Sequence, residues 1–383
     1  MMRQLESARG PFLVMLALLF LVSPSYGQSD KWIDVWVGTA KQEGVFHCRL
    51  NLNTGKLSAP VPMKTLGGAG FLALAPDGKT LYATAKDQQE SGIASYRIQS
   101  RGQSVALERT GWVSTGDGGA ACVAVDRSGR VVSSAQYGGG SVTTYLANPK
   151  TGKILERVEL IEQGPGSGVN AKRQRTAHPH WVGTSPDNKL LLVPDLGMDA
   201  VVVYQLDSSN GRLNSFSKIA CPPGGGPRHM KFHPNGKYAY VLNELTLTIS
   251  VFAFNPDTGA FDSIEEVKTL PDRLKDRHLN SAAEIRVHPS GKFVYSSNRG
   301  HDSITVFAVD QATGKLTFVE HEHVRGSWPR NFNLDPTGQW LIAAGQYSNT
   351  VAVFEIDQET GELVYSRTIV NIPDPICVEF GKR

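Results

Sequence analysis

GGGPRHMKFHPNGKYAYVLNEL, residues 224–245, holds an apolar-patterned middle between Arg228 and His229 at one end and Asn243 and Glu244 at the other. Its centre, HPNGK, joins a proline, which fixes φ, to a glycine that can take the positive φ of a tight turn. The stretch therefore reads as strand, turn and strand, and its two polar ends return to one place. The same turn recurs as APDGK at Gly78, DRSGR at Gly129, SPDNK at Asn188, HPSGK at Gly291 and DPTGQ at Gly338.

A second turn signature keeps step with the first. It reads NLNTGKL at Gly55, NPKTGKI at Gly152, DSSNGRL at Gly211, NPDTGAF at Gly259, DQATGKL at Gly314 and DQETGEL at Gly361, with IQSRGQSVAL at Gly102 as a weaker seventh. Both series repeat every 47 to 59 residues. Between turns lie segments rich in Val, Ile, Tyr and Phe, such as YAYVLN, TISVFAF, FVYSSN and SITVFAVD, which read as strands. Four strands per repeat of that length, with no helical period, predict an all-β chain folded as a seven-bladed β-propeller. After Gly361 one outer strand remains, then ICVEFGKR, an inner strand without partners. The segments IDVWVGTA, GVFHCRLN and LSAPVPMKTL near the N-terminus supply the other three kinds of strand. A shared blade of three N-terminal strands and one C-terminal strand leaves no edge unpaired there.

Composition bounds the partners. The 39 glycines and 21 prolines among 383 residues suit a turn-rich fold. A net charge of +3 without a long basic run excludes a nucleic-acid footprint. Residues 1–27 place Arg3 and Arg9 before an apolar run from Pro11 to Val22, then small residues at Ser25 and Gly27, the pattern of a secretory signal peptide. That run is short of the roughly 20 residues a membrane span needs. Residues 28–383 are thus expected as one exported domain, periplasmic or extracellular, monomeric and without stable membrane association after cleavage. An uncleaved N-terminal anchor is the alternative. Cys48, Cys122, Cys221 and Cys377 lie at least 74 residues apart, so they form no metal or redox pair, and both disulfides and buried thiols stay open.

Let the strands of a blade be A to D from the axis outward. The first turn joins A to B and the second joins C to D, so both lie on one face. Residues just before an A strand or just after a B strand gather on the other face, near the axis. Before A strands stand His178 and His180, Arg228 and His229, Glu284 and Arg330. After B strands stand Gln136, Asp195, Asn243 with Glu244, Asn298 with Arg299, and Gln346. Convergent ionisable groups at a concave rim define a candidate site.

The segments GPRHMKFHPNGKYAYVLNEL, AAEIRVHPSGKFVYSSNRGHDSITVF and WPRNFNLDPTGQWLIAAGQYSNTVAVFEI closely resemble the seven-bladed lactonase family. Its members include propeller-type 6-phosphogluconolactonases and carboxymuconate lactonizing enzymes. The resemblance implies catalytic positions at His180, Arg228, Glu244 and Arg299, with His178 able to replace His180. Hydrolysis of a lactone needs a base to deprotonate water, either Glu244 or His180 here, and fixed cations for the oxyanion, which Arg228 and Arg299 supply. His178, His229, Asn243, Glu284, Asn298, Arg330 and Gln346 are the expected substrate-binding residues. The histidine pairs of HPH and of HEH at His321–His323 lack further ligands, so no metal is expected, nor any other cofactor. No Gly-x-Ser-x-Gly elbow marks a serine nucleophile. Three readings stand: a hydrolase opening a small-molecule sugar-acid lactone, a lactonizing cyclase, and a non-catalytic propeller that binds a ligand or protein on the same rim.

Overall fold

The computed structural model describes residues 31–40, 44–101, 104–275 and 280–382; the expected leader at 1–27 and the turn at Gly102 lie outside them. Seven four-stranded antiparallel sheets form a β-propeller. Six blades are continuous in sequence. The fourth, built on the stretch quoted above, runs through Pro227–Phe232, Tyr238–Asn243, Thr248–Asn255 and Ala260–Lys268 as its strands A to D. The seventh sheet takes Pro375–Phe380 as its inner strand and adds Trp32–Thr39, Val45–Asn51 and Val61–Met63 outward.

Burial follows position in the blade. The B strands Val131–Gln136, Leu190–Asp195, Tyr238–Asn243 and Trp340–Gly345 are buried at every residue, because neighbouring blades cover both of their faces. The last three therefore read as near-continuous apolar runs, while Val131–Gln136 buries Ser133, Ser134 and Gln136. Outer strands such as Leu363–Asn371 alternate toward solvent. Each core lies between two blades: Tyr240, Leu242, Ile249 and Val251 of the fourth pack on Ala282, Ile285, Val294 and Phe307 of the fifth.

Polar clamps repeat round the ring. Tyr82, Tyr240 and Tyr295 donate their hydroxyls to the carbonyls of Gly152, Gly314 and Gly361, each in the C-to-D turn of the next blade, at 2.8, 3.1 and 2.9 Å. Trp340 Nε1 does the same to Leu52 in the closing blade at 3.0 Å. Each such bond contributes about 0.5–1.5 kcal/mol. The A-to-B turns add His233 Nε2 to Gly291 O and His288 Nε2 to Gly338 O, both at 2.8 Å. The turn residues Gly78, Gly129, Asn188, Gly236, Gly291 and Gly338 all have positive φ. All four cysteines are buried free thiols, and no described helix is long and apolar enough to cross a membrane.

Candidate active site

On the face opposite those turns, bulges in the inner strands decide which side chains enter the channel. In the fourth blade Pro227 pairs with Asn243 and His229 with Leu242, so Arg228 is the extra, unpaired residue. A bulge re-aims a side chain that strict alternation would send to the other face. Neighbours Arg228 and His229 thereby both reach the site. The sixth blade repeats the device at Arg330, between Pro329 and Asn331, and the second at Ala121. The approach to Arg228 is shaped by glycines: Gly224 and Gly226 have φ of 74° and 65°, and a Cβ on Gly226 would meet Leu245 and Leu196.

Two adjoining chambers open at this end. One, of about 220 Å3, is lined by Thr84, Lys86, His180, Arg228, His229 and Arg330 among others. The second, of about 290 Å3, is lined by Ala121, Tyr137, Arg173, His180, Glu244, Arg299 and Arg330. His180 and Arg330 line both.

Glu244 is the hub of the cations. Arg228 Nε donates to its Oε2 at 2.9 Å, Arg299 Nη2 lies 3.0 Å from the same oxygen, and Arg173 Nη2 donates to Oε1 at 2.8 Å. Burial alone would raise the Glu244 pKa, but Arg299, Arg228 and Arg173 outweigh it and hold it at about 2. Such a carboxylate is a counter-ion, already saturated with donors. Arg228 pays for its burial, and for repulsion from Arg299 and Arg330, with a pKa lowered to about 9.

Beneath Arg228 runs a second line of contacts. Its Nη1 lies 3.0 Å from His229 Nε2 and also donates to the Ala283 carbonyl. His229 Nδ1 lies 2.9 Å from Glu284 Oε1. Burial lowers the His229 pKa to about 3, so the ring is neutral. A neutral ring between a guanidinium and a carboxylate has one consistent tautomer: Nε2 accepts from Arg228 and Nδ1–H donates to Glu284. Glu284, which also accepts from Asn331 Nδ2 and the Ile285 N–H, is held ionised well below the usual range: burial opposes this, and Arg286 and His229 outweigh it.

His180 differs from all of these. Its backbone N–H donates to the Pro194 carbonyl at 3.0 Å, but its buried Nδ1 has no partner among the described residues. Burial, then the fields of Arg228, His229, Arg330 and Arg299, holds its pKa well below the ordinary value. The ring is neutral and free to accept a proton. Arg330 likewise makes no side-chain hydrogen bond or ion pair to a described residue.

Other expected binding residues are placed elsewhere. His178 stacks on Tyr137, centroids 4.6 Å apart, and its Nδ1 lies 2.8 Å from the Tyr137 carbonyl oxygen, so it braces the chamber wall. Asn243 Nδ2 donates to Thr248 and Ser250, and Asn298 Nδ2 to Ser303 and Thr305, which ties each carboxamide into its own B-to-C hairpin. Glu284 sits below Arg228, and Gln346 keeps a buried Oε1 without a described partner outside both chambers.

Arg173, Tyr137 and Asp199 are site residues that sequence reasoning passed over. Arg173 Nη2 also donates to the Tyr137 hydroxyl at 3.0 Å. Asp199 accepts from the N–H groups of Gly224 and Gly226 at 2.8 and 2.9 Å, from Ser167 Oγ at 2.8 Å and from Gln174 Nε2. One carboxylate thus fastens the loop bearing Arg173 to the loop bearing Arg228. The signal available was the acidic residue at the B-to-C turn of the third blade, facing the glycine run of the fourth.

Comparison with known proteins agrees with the fold. The model of the family described as lactonase, 7-bladed beta-propeller, matches residues 34–380. The 6-phosphogluconolactonase of Bacillus subtilis is 35% identical over 350 residues, covering 90% of this chain and 97% of its own. Among solved structures, a periplasmic gluconolactonase of Pseudomonas aeruginosa superposes with a TM-score of 0.83 at 27% identity, covering 92% of this chain and 99% of that one. A Lactobacillus plantarum protein has a TM-score of 0.83 at 30% identity, covering 92% of this chain and 100% of that one.

Proposed function

The chain belongs to the seven-bladed β-propeller lactonase family, and from that premise we propose that it hydrolyses a sugar-acid lactone with His180 as general base. The observation that carries this is the His180 ring, neutral, without a hydrogen bond to a described residue, and shared by two chambers whose other ionisable lining is mostly cationic. His180 takes a proton from water as the oxygen attacks the lactone carbonyl carbon. The oxyanion that forms is met by Arg228 and Arg299, whose Nη2 and Nη1 atoms have no acceptor among the described residues. Collapse breaks the ring C–O bond, and the protonated His180 returns its proton to the leaving alkoxide, giving the hydroxy acid. Glu244 holds three guanidiniums in place, and Arg330 is placed for the substrate's own polar groups.

The cations that keep His180 neutral are those an anionic substrate or oxyanion would offset. With an uncharged lactone that offset comes from the oxyanion as water attacks, which raises the basicity of the ring against the depressing effects of burial and of these cations. The leader pattern at 1–27 and the periplasmic relative support an exported enzyme, for which unphosphorylated lactones are the accessible substrates. Titrating acid release with glucono-δ-lactone and 6-phosphoglucono-δ-lactone tests the reading. Opening of the unphosphorylated lactone faster than in buffer is expected. Rates equal to buffer with both would remove the hydrolase and leave the rim a binding surface.

A further inference from the structure

The sixth blade carries an aromatic pair beside the chambers that lactone opening does not use. Trp328 stacks on Tyr347, centroids 4.9 Å and planes 14° apart, and the Arg299 guanidinium lies over the Trp328 ring, 5.4 Å from its centre. Trp328 has φ of 62°, a conformation a bulky side chain adopts only where its surroundings impose it. Here they do. Its N–H donates to Asp302 Oδ1 at 2.7 Å, its carbonyl accepts the Gln346 N–H at 3.1 Å, and the Tyr347 N–H donates to the Ser327 carbonyl at 3.2 Å.

Tyr347 is 65% exposed, the most of any large apolar side chain among the described residues. One of its faces rests on Trp328 and the other is open to solvent. It lies within electrostatic reach of Arg330, which lines both chambers. Next to it in sequence, Gln346 holds its buried, unpartnered Oε1. Strain maintained by a hydrogen-bonded cradle, to present an aromatic face at the rim of a site, is the kind of outlier that marks a functional device.

We infer that Tyr347, backed by Trp328, is a subsite for a second sugar ring, so that the site takes gluconolactones carrying a glycosyl unit, the disaccharide aldonolactones. The inference rests on the lactonase reading. A pyranose offers a face of C–H groups edged by hydroxyls. Its face buries apolar area on a flat ring, and its hydroxyls need polar or charged partners at the edge, which Arg330 provides. Because the aromatic pair is already stacked, little side-chain freedom is lost on binding.

Two measurements on the full chain test it. Calorimetric titration with lactobionate and with gluconate should show tighter binding of lactobionate. Tyr347→Ala should erase about three- to tenfold of that preference, and Tyr347→Phe should keep it. In parallel, Tyr347→Ala should lower kcat/KM for lactobionolactone more than for glucono-δ-lactone, by a similar factor. Equal affinities of the wild type for the two acids, or equal losses for both in Tyr347→Ala, would overturn the subsite. Failure of the lactonase reading has its own signature: neither lactone is opened, while the calorimetric preference and its dependence on Tyr347 persist.

Discussion

The two faces of the propeller are built from the same hairpins and solve opposite problems. On the turn face the blades repeat one solution: in five of the six A-to-B turns an Asp, Ser or His precedes the turn, in all six a positive-φ Gly or Asn lies within it, and His233 and His288 bond to the next blade's turn glycine. On the site face the equivalent positions differ from blade to blade. One supplies His180, the next Arg228 with Glu244, the next Glu284 with Arg299, the next Arg330. Where the repeat is kept, the residues serve the ring, and where it is broken, they serve the site. Substitutions on the two faces should therefore separate stability from turnover.

The largest combined effect on stability and turnover is expected at Glu244. Glu244→Gln leaves Arg173, Arg228 and Arg299 without their counter-ion, so kcat/KM should fall by about 10³-fold. Stability should fall as well, by about 3–5 kcal/mol, because a buried guanidinium loses its partner. Kinetics with denaturant titration of the same preparation check both.

Next is acid. The His229 pKa is about 3 in the folded chain against 6.5 ordinarily, so between those values the folded state binds fewer protons than the unfolded state. Stability should drop as pH falls through that window. Glu244, at about 2 against 4.5, adds a loss in the same direction between those values. Together they amount to several kcal/mol, of order, and thermal melts from pH 7 to pH 3 should show Tm falling continuously.

A smaller effect tests the loop fastening. Asp199→Ala orphans the Gly224 and Gly226 N–H groups and should cost about 1–3 kcal/mol. Because Arg228 and Arg173 then lose their common anchor, kcat/KM should fall about tenfold. The smallest kinetic effect belongs to the turn face. His288→Ala should destabilise by about 1–3 kcal/mol through the lost Gly338 and Ser290 contacts, with kcat/KM unchanged. A kinetic loss there as large as at Asp199 would break the division between the faces.

The ring was legible in the sequence because its turn chemistry is local: Gly236 and Gly291 need only their own backbone φ. The rim was legible for the same reason, since a hairpin returns Arg228 and Glu244 to one end. The bulges at Arg228 and Arg330 were not legible, because a skipped register depends on pairing across strands. Without them, strict alternation places His229 in the channel and Arg228 on the opposite side. Asn243 and Asn298 illustrate the converse: they stand at the rim, but Thr248, Ser250, Ser303 and Thr305 claim their amides. Arg173 lies in the long connection between the second and third blades, where no repeat predicts its reach to Glu244.

The choice between Glu244 and His180 as base turns on geometry, a carboxylate holding three guanidiniums against a ring without a hydrogen bond to a described residue. Opening of glucono-δ-lactone by His180→Gln, followed against wild type and buffer, tests it most directly. A loss of about 10²–10⁴-fold in kcat/KM is expected with little change in Tm, because the ring makes no hydrogen bond to a described residue. A folded His180→Gln protein that opens the lactone at the wild-type rate would contradict it.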